Sequence, residues 1–215
     1  MESLSNLTDA QTLLIADASA VINLNASGCA EKVLEALARR VKVVDFVPGE
    51  LEEGRHRQRQ DVVLLEKLAA SGHVEIVSLD ETSDRYFEQL VVGPGRMTLD
   101  DGEAGTIAYA LAGGGIPIID EAKANRICAE LFPDLRLACS VDIFANQAVG
   151  DALGNETLAD AVFNALYHGR MRVFPQHLAW VVGLIGHERA RQCASLPASA
   201  RALKSAAMKR VGQGG

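Results

Sequence analysis

Short apolar runs recur along the first two thirds of the chain, each followed by a segment whose apolar positions repeat at helical spacing. The runs are "TLLIA" (12–16), "VKVVDF" (41–46), "HVEIVSL" (73–79), "GIPIID" (115–120) and "LRLAC" (135–139). They are rich in Val, Ile and Leu and alternate little, as strands covered on both faces do. Between them, "CAEKVLEALARR" sets Val33, Leu34 and Leu37 along one side, and "DVVLLEKLAA" does the same with Val62, Leu65 and Ala69. "GEAGTIAYALAGGG" carries Ala104, Ile107, Ala108 and Leu111, then stops at a triple glycine. This alternation predicts an α/β chain: a central parallel sheet of about five strands, joined by right-handed crossovers, with helices on both faces. After about residue 140 the pattern is helical, over 141–150, 156–168 and 176–193, punctuated by Gly154-Asn155, Gly169 and Pro175. The expected organisation is an α/β/α domain over 1–150. A helical extension over 151–215 would pack on that domain and end in a loose tail.

Composition narrows the class without changing the fold. A chain of 215 residues, 48% hydrophobic and 23% charged, can bury a substantial core and is ordinary for a soluble protein. The late run "WVVGLIG" is too short to span a membrane, and "MESLSNLTDAQT" has neither a basic n-region nor an apolar h-region. A cytoplasmic protein without a membrane partner is therefore expected. The four cysteines, Cys29, Cys128, Cys139 and Cys193, show no Cys-x-x-Cys spacing, and His168, His177 and His187 lie nine and ten residues apart. Those spacings argue against a thiol or zinc enzyme. A net charge of −7 argues against bulk electrostatic binding of nucleic acid. Local binding stays open, because Arg39, Arg40 and Lys42 form one basic group and Arg55, His56, Arg57 and Arg59 another.

The acids carry the chemistry. Asp17 follows "LLIA" and Asp120 follows "IPII", so both fall at the carboxyl ends of expected strands. Open α/β sheets bind ligands there, where the strand order reverses. If strands two and three lie on one side of strand one and strand four on the other, both carboxylates can reach one divalent ion, since adjacent strands are about 4.8 Å apart. "VPGELEEG" places Glu50 just after strand two, and "LDDGEAGTIAYAL" places Asp100, Asp101 and Glu103 at a helix start. Each acid also has a structural reading. Asp17 can cap a helix, Asp100-x-x-Glu103 has the form of a capping box, and Glu50, Glu52 and Glu53 suit a helix N-terminus. Ser19 and Asn23 can bond Asp17 or a metal-bound water, or serve a local turn.

Together, "LLIADASAVINL", "ELEEG", "LDDGEAGTIAYAL" and "IIDEAKANRIC" resemble the PIN domain, and most nearly the prokaryotic PIN-like proteins related to VapC toxins. The likeness covers about residues 12–150. It implies a small α/β nuclease fold whose acids bind Mg²⁺ or Mn²⁺. Asp17, Glu50, Glu103 and Asp120 match the family's acids in order, with Glu121 as an adjacent second acid. Asp17, Glu103, Asp120 and Glu121 are the implied metal ligands. Glu53 in place of Glu50, and Asp100 or Asp101 assisting Glu103, stay open. Ser19, Arg55, Arg57, Lys123 and Arg126 lie beside these motifs and are candidate substrate contacts. The implied activity is metal-dependent cleavage of single-stranded RNA by the toxin of a toxin–antitoxin pair, with an antitoxin partner and a homodimer. The alternative is a PIN-fold module that binds nucleic acid or protein without cleaving, because a fold alone does not establish activity.

Overall fold

The structure is a computed structural model that describes residues 5, 7, 12–53 and 58–202. Four strands, β1 (Leu14–Ala16), β2 (Val41–Val44), β3 (Val74–Val77) and β4 (Ile116–Ile118), form one sheet in the order β3-β2-β1-β4, with every pairing parallel. Helices α1 (Ala18–Ala26) and α2 (Ala30–Leu37) connect β1 to β2, while α3 (Phe46–Glu53) and α4 (Gln58–Ala70) connect β2 to β3. The path from β3 to β4 runs through α5 (Glu81–Val91) and α6 (Asp101–Gly113). Leu14, Ile15, Val43, Val44 and Ile118 are fully buried, as residues of a sheet covered on both faces must be.

The expected fifth strand over 135–139 is reduced to a single parallel bridge between Ile118 and Ala138. Pro117 supplies the reason. Its carbonyl accepts the Ala138 N–H, and on that same side it has no N–H to return, so the ladder loses a bond where a fifth strand would extend it. The chain then turns at Cys139 into α8 (Ser140–Phe144), which follows α7 (Ala122–Leu131).

Beyond α8, α9 (Gln147–Tyr167) runs straight through residue 150 and kinks at Gly154, whose φ of 72° is open to glycine and strained for other residues. It packs on α1 and α2. Three short helices follow, α10 (Leu178–Ile185), α11 (His187–Gln192) and α12 (Ala198–Ala202), the first preceded by a 3-10 turn over Pro175–His177. Val149, Val162, Leu166, Val181 and Ala190 belong to the same buried cluster as Leu14 and Val43. A smaller cluster, built around Leu90, Ile107, Ile119 and Ile127, fills the space under α5, α6 and α7. Among the described residues no helix is long and apolar enough to cross a membrane.

Candidate acidic site

The reversal of strand order falls between β1 and β4, and an aspartate follows each, Asp17 directly after β1 and Asp120 two residues after β4. Asp17 is the N-cap of α1. Its carboxylate accepts the Ala20 N–H at 2.7 Å and the Ser19 hydroxyl at 2.9 Å. The capping role is thus real, yet Asp17 also lines the cavity above the sheet. Asp120 accepts three donors: the Ser140 N–H at 2.8 Å, the Ser140 hydroxyl at 2.6 Å and Asn23 Nδ2 at 2.7 Å. Both aspartates are buried. Among the described residues no cationic side chain bonds to either.

The start of α6 and the second turn of α3 complete the acidic wall. Asp100 caps α6 by accepting the Glu103 N–H at 2.9 Å, which leaves the Glu103 carboxyl to the cavity. Glu50, on α3, accepts the Gly102 N–H at 2.7 Å. Gly102 is required by that approach, since a Cβ there would sit 2.2 Å from a Glu50 carboxylate oxygen. The same bond turns Glu50 to the cavity, whereas Glu53, exposed at the end of α3, and Asp101, exposed at the start of α6, do not line it.

The cavity holds about 340 Å³ and is walled by Asp17, Glu50, Asp100, Glu103, Asp120 and Glu121. Burial raises the Asp17 carboxyl well above the usual range, and Asp120 raises it further. Burial also raises Asp120, against the pull of its Ser140 and Asn23 donors. Glu50 is raised by burial and then, against its bond from Gly102, by Asp100. Glu103 is pushed up to about 7, first by burial and then by Asp100 and Glu121, with Lys123 pulling the other way. Crowded, desolvated carboxyls of this kind need a proton or a cation. The donors are all hard oxygens, the set that divalent Mg²⁺ or Mn²⁺ takes.

Of the other candidates, Ser19 lines the cavity. Lys123 donates to the Gly95 carbonyl at 2.9 Å and Arg126 to the Arg96 carbonyl at 3.1 Å, so both hold the loop before α6 and neither is in the wall. Arg55 and Arg57 lie outside the described residues. Among the described residues the cations in the wall are two that sequence reasoning missed, Arg170 and Arg172, from the turn after α9. Arg172 pairs with Glu121 at 3.3 Å. Only the basic spacing in "HGRMRV" hints at them. Ser140 was missed as well, and its place just after an apolar run is a weak signal. A separate buried group, Cys139, Asp142 and His177, has one ligand atom from each residue within 4.8 Å of the others and lies outside the acidic wall.

No curated protein and no solved structure matches the chain. A family model described as a PIN domain matches residues 13–182. That span includes all four strands, every acid of the cavity wall, and Arg170 and Arg172. The chain belongs to the PIN-domain family.

Proposed function

We propose that the protein is an endoribonuclease that uses Mg²⁺ or Mn²⁺ to cleave phosphodiester bonds of single-stranded RNA. The observation that carries this reading is the burial of Asp17 and Asp120 at one sheet switch point, with no cation among the described residues bonded to either and four more acids, Glu50, Asp100, Glu103 and Glu121, in the wall around them. Asp17 and Asp120 would hold the ion, with Glu103 and Glu121 completing the oxygen set and Glu50 acting from the edge. When bound, the ion supplies an activated water and neutralises charge at the phosphate.

The chain's own residues do the rest. Ser19 orients the Asp17 carboxylate with its one hydroxyl proton, which stands within reach of both oxygens. Ser140 and Asn23 hold the Asp120 carboxylate in one orientation and favour its charged form. Without metal, burial and its acidic neighbours push Glu103 up to about 7, and Glu103 would give up that proton on joining the oxygen set of a bound ion. Arg170 and Arg172 give an acidic chain a local cationic rim for an anionic strand. A phosphate would compete with Glu121 for Arg172. The choice of RNA, the role as toxin, an antitoxin partner and a homodimer are supported by the likeness to PIN-like toxins.

The test uses purified protein free of any partner, labelled single-stranded RNA and DNA, and Mn²⁺ or Mg²⁺. Asp17→Asn, Asp120→Asn and EDTA serve as controls. RNA cleavage that disappears in both folded variants and in EDTA is the expected result. Metal binding without cleavage of any substrate would leave a non-catalytic binding module.

A further inference from the structure

We propose that Cys139, Asp142 and His177 form a second metal site, selective for zinc, that braces the residue holding Asp120. Cys139 is the N-cap of α8 and Asp142 is its third residue, with the Cys139 N–H donating to Asp142 Oδ2 at 2.9 Å. His177 ends the 3-10 turn of the C-terminal helices. All three side chains are buried, His177 at 2% exposure.

His177 is the informative residue. Among the described residues neither of its ring nitrogens has a hydrogen-bond partner, a costly state for a buried imidazole. Its Nε2 stands 3.6 Å from Asp142 Oδ1, and Cys139 Sγ stands 3.2 Å from Asp142 Oδ2. A tetrahedral zinc with bonds of about 2.0–2.3 Å separates its ligand atoms by roughly 3.3–3.6 Å. The two pairs, which use different oxygens of Asp142, stand near that spacing, and one ligand atom from each of the three residues lies within 4.8 Å of the others. One thiolate, one imidazole and one carboxylate make a donor set that suits zinc and not magnesium. The two sites are thus separated by chemistry as well as by place.

Burial and the nearby charges of Asp142 and Asp120 push the Cys139 thiol far up, so without metal it keeps its proton. Zinc binding forms the S–Zn bond and releases that proton to solvent, while Asp142 binds as carboxylate and His177 as neutral imidazole. With three protein ligands, a fourth position remains for a water. The consequence runs through Ser140, which lies between two of the ligands and gives both its N–H and its hydroxyl to Asp120. Zinc would clamp this turn to the 3-10 turn at His177 and so fix the orientation of Asp120.

The test uses the full chain, stripped with EDTA and reloaded with Zn²⁺ or Co²⁺ in excess Mg²⁺. The expected result is retained zinc, and a cobalt spectrum with tetrahedral bands and a thiolate charge-transfer band. Cys139→Ser should remove the charge-transfer band, and His177→Gln should weaken zinc binding by at least roughly tenfold. Asp17→Asn should retain zinc, which keeps this result separate from the fate of the nuclease reading. Anomalous scattering at the zinc edge from wild-type crystals decides the matter without any variant. A peak among Sγ, Nε2 and the Asp142 carboxylate supports the site. No peak, or one confined to the acidic cavity, overturns it and leaves a metal-free buried His–Asp pair.

Discussion

Glu103→Gln removes one ionisable group from a cavity in which other acids press on it, and it should make the metal-free protein more stable. Glu103 is raised from its ordinary 4.5 to about 7. The folded state therefore holds this proton more tightly than the unfolded state. Stability from this group is fully present below pH 4.5 and is lost as pH rises through about 7. At about 1.36 kcal/mol per pH unit the loss is at most about 3 kcal/mol, and partial exposure to solvent lowers it to about 1–2 kcal/mol. For a chain of this size that is a gain of roughly 2–8 °C in Tm for the variant, near pH 8 and without metal. The assay is thermal unfolding followed by circular dichroism on EDTA-treated protein, near pH 5 and near pH 8. Wild type and variant should nearly coincide near pH 5 and separate near pH 8. Excess Mg²⁺ should close the gap by raising the wild type. RNA cleavage should fall in the same variant that gains stability, as expected where a site is held under electrostatic strain. A variant no more stable than wild type near pH 8 would refute the reasoning.

Gly102→Ala should push the Glu50 carboxylate out of its bond with the Gly102 N–H, since the new Cβ would meet it at 2.2–2.6 Å. The expected outcome is weaker Mn²⁺ binding by calorimetry with stability lowered by less than about 2 kcal/mol, because the far end of a side chain moves and not backbone. Ser140→Ala removes the 2.6 Å hydroxyl bond to Asp120 but leaves the 2.8 Å N–H bond. Losing one bond to a charged group, about 1.5–3 kcal/mol, should weaken metal binding and cleavage together, and an unchanged metal affinity would count against this role of Ser140. Gly169→Ala would place a Cβ 2.7 Å from both the Ala165 carbonyl and Asn23 Oδ1. A loss of about 1–3 kcal/mol in denaturant unfolding is expected, with weaker metal binding as Asn23 is forced from Asp120.

Much of the architecture was legible because it is a local property of the chain. Apolar runs such as "LLIA" and "VKVV" and the stripe Val33, Leu34, Leu37 report burial period, and burial period separates a parallel α/β chain from other classes. Asp17 and Asp120 were legible for a related reason: an acid one or two residues after a buried strand emerges at the sheet's carboxyl edge, and the order β3-β2-β1-β4 brings these two edges together. The missing fifth strand shows the limit. "LRLAC" has the hydrophobicity of a strand, but a ladder also needs donors on its neighbour, and Pro117 withholds one.

The sequence by itself thus determined the fold class, the strand ends and the acids that stand there, because each depends on residues within a few positions of one another. Tertiary structure alone put Glu50, and not Glu53, in the cavity wall, through the N–H of a glycine 52 residues away. It also brought Arg170 and Arg172 to the acidic wall and His177 to Cys139 and Asp142, across the whole length of α9. No spacing rule anticipates such meetings. They follow from how a kinked helix packs its apolar side on α1 and α2, and that packing is set by the summed burial of the whole core, with no short motif encoding it.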